Sequence, residues 1–480
     1  MWQRWPKCAG WLWAANPSHY WGDLRRDRSV SELLELATRV IEQANGKEGI
    51  EAYVARGTDT ELRIYDGAIE SLSTATSAGI GVRVLIEGNE GAQVGFAWSG
   101  SLDHEAVDRA LREARENAHF ASPDPYVALA QLDGVAPSDL ALTSATFDEL
   151  TLDDKIAMTT ELEAMTRGGD PRIRQVDSAD FGDGIVESAI ASTTGIRVSS
   201  QRSNAFLSVS ALAGDGDETQ TGSGFSVGRS AGELDLREAS SQAIERSVRM
   251  LGAAKVPSMK TTVVFDPRVT STILSVLGGA LSGEAVVKGR SFFEGRLGER
   301  VANQDVNLVD DPTNPLAYGA AIFDGEGLAC RRNVLINQGI LEAFVYDTVA
   351  ARRAGTSSTG SATRGGYGGT PGAGCRAIVL SPGEQGAAEI LSGIERGLYV
   401  QSITGVHSGV SPVSGDFSVG AEGLMIRNGA FAEPVREVTV ASTMQAMLLN
   451  LTAIGNDLTW LPGAACGQTL AIADFQLSGS

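Results

Sequence analysis

The chain has 480 residues, enough for two large domains, and 42% of them are hydrophobic against 20% charged. A formal net charge of −20 with no clustered Lys/Arg stripe excludes the phosphate-neutralising surface that a nucleic-acid binder needs. No stretch approaches the ~18 consecutive apolar residues of a membrane span, and 57 glycines beside 6% aromatics favour a turn-rich, β-containing protein.

Cys8, Cys330, Cys375 and Cys466 are widely spaced and form no CxxC pair, which points to reduced thiols in a cytoplasmic protein, not a disulfide framework. His19, His104, His119 and His407 offer no pair at i, i+4 or i, i+5, so no two-histidine helical metal site can be written. Five of the seven tryptophans fall before residue 28. Pro6, Lys7 and Cys8 interrupt any signal-like apolar core there, so residues 1–27 read as a disordered extension or an over-long start, with a partner-binding arm as the alternative.

Patterned sequence begins at Ser29-Val30-Ser31-Glu32, a capping-box signature followed by Leu33, Leu36, Ala37, Val40 and Ile41 at helical spacing. Short strands are predicted at Glu51–Arg56, Glu61–Tyr65, Ala68–Leu72, Ile80–Ile86 and Gln93–Trp98, with Asp66-Gly67 and Gly88-Asn89 as turns. A helix follows at Asp103–Ala118, and another at Asp153–Met165. Strands at Ile173–Val176, Gly184–Ala191 and Ala205–Ala211 precede a helix over Leu236–Leu251. Pro257 and small or polar residues around Ala253–Lys260 mark a domain boundary, giving domains at 28–253 and 254–480.

The second domain opens with a strand at Thr261–Phe265 and a helix capped by Asp266-Pro267. Beyond that helix the pattern is β: Asn333–Ile336, Gly339–Tyr346, Ala377–Leu380, Leu398–Ile403, Gly423–Arg427 and Phe431–Val440. A last helix over Ser442–Ile454 precedes a strand at Thr469–Phe475. The fold class is α+β: an N-terminal α/β domain and a C-terminal, mostly antiparallel β domain.

The helix after Pro267 contains Leu281-Ser282-Gly283-Glu284-Ala285-Val286-Val287-Lys288. With Ser291–Val301, Asp310-Asp311-Pro312-Thr313, Phe323–Gly327, Arg331–Ile336, Ser357–Gly369, Arg396–Val400, Gly409–Ser418, Ile454–Leu458 and Cys466-Gly467, it resembles the TldD/PmbA family from about Ser29 to the end. In the zinc-bearing TldD branch this helix carries His-Glu-x-x-x-His. Here Gly283 and Lys288 stand at the histidine positions, Glu284 is retained, and Cys466 sits in the segment of the branch's late cysteine ligand. Glycine offers no ligand and an ammonium repels a dication, so the resemblance implies the TldE/PmbA-type subunit, without metal and with no catalytic residues of its own. It implies a heterodimeric cytosolic peptidase for unfolded or leader peptides, in which a TldD-like paralogue holds the zinc. The family's description as a modulator of DNA gyrase finds no support in this acidic composition.

Other constellations stay open. The glycine-rich stretch Gly355–Gly374 lacks the Gly-Lys-Ser/Thr ending of a phosphate loop. It reads equally as a flexible loop or as a contact for an extended peptide, with Arg364 gripping a carboxylate and Gly365, Gly366 and Tyr367 lining the chain. His407 beside Ser408, with Asp416 nearby, reads as a hydrogen-bonded loop histidine rather than a nucleophile pair. Asp310-Asp311 before Pro312 reads as a turn rather than a cation site. The rival functional readings are an autonomous or homodimeric peptide-binding protein, or a peptidase with a non-zinc mechanism.

Overall fold

The computed structural model describes residues 30–479. The tryptophan-rich start and the Ser29 end of the capping box lie outside them.

The first domain is built on one antiparallel sheet. α1 (Val30–Ile41) leads into β1 (Glu48–Tyr65), β2 (Ala68–Gly88), β3 (Gly91–Ser99) and α2 (His104–Phe120). After an irregular stretch the same order recurs: α3 (Leu152–Gly168), β4 (Ile173–Ser192), β5 (Arg197–Asp215), β6 (Glu218–Gly228) and α4 (Leu236–Val248). The six strands lie in the order β3-β2-β1-β4-β5-β6. All four helices cover one face. Leu33, Val40, Val107 and Leu111 meet Ile50, Val54, Val82 and Val84 in one core, and Leu162, Ala239 and Ala243 meet Ile64, Phe181 and Leu207 in a second.

The strands are longer than the sequence pattern indicates. β1 and β2 pair from Glu48↔Ile86 to Tyr65↔Ala68 with one irregularity, through the polar runs that separated the expected short strands. A backbone ladder needs no apolar side chain, so exposed Ser73, Thr74 and Thr76 continue it. The Asp66-Gly67 turn forms as expected, with φ of 50° and 74°. β6 gives no apolar alternation, for a steric reason. A Cβ on Gly224 would stand 1.8 Å from the Ala239 carbonyl, so glycine is what lets α4 lie against the strand.

The second domain comprises β7 (Met259–Phe265), α5 (Pro267–Ala280), α6 (Gly283–Val287), β8 (Leu308–Asp310), β9 (Asn333–Asn337), β10 (Ile340–Leu341), α7 (Thr348–Ala354), β11 (Ala362–Thr363), β12 (Gly372–Ala373) and β13 (Ile378–Leu380). It continues with α8 (Ala387–Ser392), β14 (Arg396–Thr404), α9 (Val406–Gly409), β15 (Asp416–Arg427), β16 (Ala430–Thr443), α10 (Met444–Leu449), β17 (Leu451–Ile454) and β18 (Leu470–Ser478). One sheet runs β16-β15-β14-β7-β18-β17, and a β16–β18 pairing closes it into a barrel. Only β14–β7 is parallel in that barrel. A second sheet runs β10-β9-β8-β13. Ile273, Leu274 and Leu277 of α5 share a core with Phe265, Val400 and Phe475 of the barrel.

Four expectations change here. The helix expected to run through Lys288 stops at Ala280 and restarts at Gly283. The expected helix over Ser442–Ile454 divides into α10 and β17, and short helices α7 to α10 interrupt what read as continuous β structure. The strand expected over Gly339–Tyr346 contracts to β10, because Val345 turns away to bond the α5–α6 junction: its N–H reaches the Leu281 carbonyl at 3.1 Å.

Candidate functional site

The α5–α6 break shapes the metal-motif positions. Ser282 is extended, and the Gly283 N–H donates to the Val345 carbonyl at 2.7 Å. That bond brings Tyr346 over Gly283. A Cβ on Gly283 would stand 2.1 Å from two ring carbons of Tyr346, so the aromatic ring fills the space a side chain would take. One turn on, the Lys288 Nζ donates to Glu284 Oε1 at 2.5 Å, with both side chains about two-fifths exposed (38% and 44%). Cys466 is elsewhere. Its neighbour Ala465 accepts a 2.8 Å bond from Ser271, near the start of α5. The rest of α5, roughly 14 Å at ~1.5 Å per residue, lies between that point and α6. Cys466 is buried, its Sγ lies 3.4 Å from the Thr459 carbonyl, and burial pushes its thiol up to about 12. Gly283, Glu284 and Lys288 therefore lie together at α6 while Cys466 is not brought to them, and as arranged the four do not fit a zinc ion. Among the described residues no group of three His, Cys, Asp or Glu is placed to hold a metal.

The glycine-rich stretch folds as a small hairpin, β11 against β12, that reaches across to the first domain. Tyr367 lies on the β2–β3 hairpin. Its ring centroid is 6.0 Å from that of Trp98, and Cβ atoms on Gly79 or Gly81 would stand 2.5 Å or less from Tyr367. Gly366 has φ +97°, a conformation that favours glycine, whereas Gly365 is exposed with open space where a side chain would be. Arg364 does not present a free guanidinium. Its side chain is 2% exposed, its Nη2 pairs with Glu51, its Nε donates to the Gly325 carbonyl at 3.0 Å, and it stands 4.9 Å over the Tyr53 ring. The carboxylate it grips is internal.

Glu51 belongs to a buried ionic cluster joining the domains. It also accepts from Arg83 at 3.0 and 2.6 Å. Burial alone would raise its pKa, but the charges of Arg83 and Arg364 outweigh that and hold the carboxyl below its ordinary range. Glu326, from the second domain, is fully buried. Its Oε2 accepts from Thr348 N–H and Oγ1 at 2.9 and 2.7 Å, while Oε1 has no hydrogen-bond partner and lies 3.7 Å from Arg83. Burial pushes Glu326 up to about 7, with Arg83 opposing and Asp324 and Asp347 adding to the rise.

The models for PmbA/TldA metallopeptidase domain 1, central domain and C-terminal domain match residues 50–118, 145–251 and 258–479. The chain belongs to the PmbA/TldD family. Among curated relatives of the PmbA/TldD chain are the metalloprotease PmbA of Escherichia coli O157:H7, 26% identical over 93% of this chain and 96% of that one. A metalloprotease of Methanothermobacter thermautotrophicus is 26% identical over 86% and 90%. Solved structures with this PmbA/TldD fold include TldE from Thermococcus kodakarensis (TM-score 0.82, 23% identity, 94% and 100% covered). A Thermotoga maritima protein described as a candidate modulator of a DNA gyrase has TM-score 0.84 at 23% identity, with 92% and 99% covered.

The remaining sequence candidates of this PmbA/TldD chain have structural surroundings. Asp310 is buried and accepts the N–H groups of Arg376 and Ala377 at 2.9 and 2.7 Å, and Asp311 accepts from Thr313 N–H at 3.1 Å, a turn arrangement. His407 lies on the short α9, not on a strand. Sequence reading missed Glu51, Arg83 and Glu326. A signal existed for Arg83: it sits inside the apolar run Ile80–Ile86, where a charge on a half-buried strand must find a partner.

Proposed function

We propose that this chain is the metal-free, TldE/PmbA-type subunit of a two-subunit cytoplasmic peptidase acting on unfolded or leader peptides. The observation that carries the reading is the Tyr346 ring over Gly283, which closes the first ligand position by packing as well as by chemistry. Lys288, held by Glu284, closes the second. The metallopeptidase names of its relatives support peptide hydrolysis as the activity of the assembly. On this reading a TldD-like paralogue with an intact His-Glu-x-x-x-His supplies zinc and the hydrolytic water. The present chain supplies a rigid wall: the buried cluster fixes the β11–β12 hairpin against the first domain, and the extended peptide runs beside it.

The test uses the full chain, alone and co-expressed with the histidine-bearing paralogue, against an unstructured fluorescent peptide. The expected result is no cleavage alone, a stable co-purifying pair, and cleavage by the pair that a chelator abolishes. Chelator-insensitive cleavage by the chain alone, lost in Glu284→Gln, would overturn the reading in favour of a non-zinc peptidase. A stable homodimer that binds peptide and ignores the paralogue would overturn it in favour of a binding protein.

A further inference from the structure

The face of the first domain's sheet without helices looks toward the second domain. Side chains alternate across a strand, and Tyr53, Ile190 and Val198, in register on β1, β4 and β5, pack with Leu328 of the second domain. Two residues further along, Ala55, Ser188 and Ser200 share that face, and the two serine hydroxyls lie 3.2 Å apart. The next row is Gly57, Val186 and Arg202. A long cation thus rises beside a floor of small side chains.

Arg202 differs from Arg83 and Arg364, which share Glu51. It makes no ion pair and no side-chain hydrogen bond among the described residues. Its neighbours carry the same sign. Arg229 donates to the carbonyls of Ser203 and Ala317 at 3.4 and 3.0 Å and so holds the segment bearing Tyr318 beside β5. The next residue, Gly319, abuts the Arg376 carbonyl, which a Cβ would meet at 2.0 Å. Arg376 gives one N–H to the Ala362 carbonyl at 3.1 Å, and its Nε is buried without an acceptor. The Arg202 side chain is open to solvent, yet surrounding protein desolvates it and, with the charge of Arg376, lowers its pKa. Arg202 thus stands solvent-exposed at the seam between the domains, flanked by Arg229, Arg376 and Tyr318.

We propose that Arg202 anchors a carboxylate of the peptide at this seam, with Arg229 and Arg376 raising the local positive potential and Tyr318 beside it. A guanidinium takes a carboxylate through two parallel N–H bonds, and three arginines at one spot of a chain with net charge −20 form a focused field for an anion. The peptide as ligand rests on the peptidase reading above. The carboxylate comes from the peptide's C-terminus or from an acidic side chain.

The experiment measures fluorescence anisotropy of labelled Ser/Ala-rich decapeptides on the full chain alone, without the paralogue. The peptides carry a free C-terminus, an amidated C-terminus, or an amidated C-terminus with one central Glu. Expected is binding roughly tenfold or more tighter for a carboxylate-bearing form than for the neutral amide, with that preference lost in Arg202→Gln. Tighter binding of the free-acid form assigns the C-terminus, and tighter binding of the Glu form assigns a side chain. Because Arg202 bonds nothing internal, Arg202→Gln should unfold at the native temperature, and Arg202→Lys should retain part of the preference. Equal binding of all three peptides, binding of none, or a preference that survives Arg202→Gln overturns the proposal. None of these outcomes bears on chelator-sensitive cleavage by the pair, so the two readings fail separately.

Discussion

The α6 turn and the buried cluster between the domains each set a glutamate against a basic residue, and they differ in what surrounds the pair. Glu284 and Lys288 face solvent on a five-residue helix, where water screens the attraction and two long side chains lose freedom to hold it. Glu51, Arg83, Arg364 and Glu326 sit in protein, where every uncompensated charge is costly. The motif that carries the resemblance is thus the weakly held place. The charge chemistry that holds the molecule together lies where the two domains meet.

The comparison breaks first at Arg83. Arg83→Ala should destabilise the protein by about 3–5 kcal/mol, since it leaves Glu51 with Arg364 alone and Glu326 with no cation nearby. Denaturant unfolding reads this, and a loss under about 1 kcal/mol would equate the cluster with a surface pair. Next comes pH. Glu326 stands at about 7 in the fold against 4.5 for an ordinary glutamate, so the folded state binds its proton more tightly. Its contribution to stability is therefore full below pH 4.5 and declines as pH rises toward 7, by up to roughly 3 kcal/mol. Unfolding of wild type and Glu326→Gln at pH 5 and pH 8 should show a larger decline in the wild type than in the variant.

Gly283→His should cost about 1–3 kcal/mol through overlap with Tyr346, and Tyr346→Ala in the same chain should relieve much of that cost in thermal melts. A Gly283→His protein as stable as the native one would remove the packing argument. The smallest effect belongs to Glu284→Gln, at most about 1 kcal/mol by denaturant titration. A larger loss would mean that α6 is held by something other than its surroundings at Val345.

Much of this was legible in the residues because the signals are local. Asp266-Pro267 opened α5, Asp66-Gly67 turned the first hairpin, and the α2 stripe of Val107, Ala110, Leu111 and Ala114 marked its buried face. What escaped depends on other parts of the chain. The polar middles of β1 and β2 are strand because each pairs with the other, and β6 is glycine-rich because α4 presses on it. At the site, Gly283 and Lys288 named the missing ligands, but only the fold puts Tyr346 over one of them. Arg364 was singled out for its charge. Its partner, Glu51, is 313 positions away, a separation no spacing rule spans.

The recurrence of helix-strand-strand-strand-helix in the first domain has a consequence for how that domain exists at all. The segments matched by the family's domain 1 and central domain, 50–118 and 145–251, each contribute three strands, and they meet along β1 and β4 from Glu51↔Ser192 to Ile64↔Ala179. Each half alone would end in a long unpaired edge of the kind that recruits foreign strands. Joined, each edge finds its mate within the same polypeptide, so the domain behaves as a dimer tied by its own linker. The sheet face it offers the second domain spans both halves.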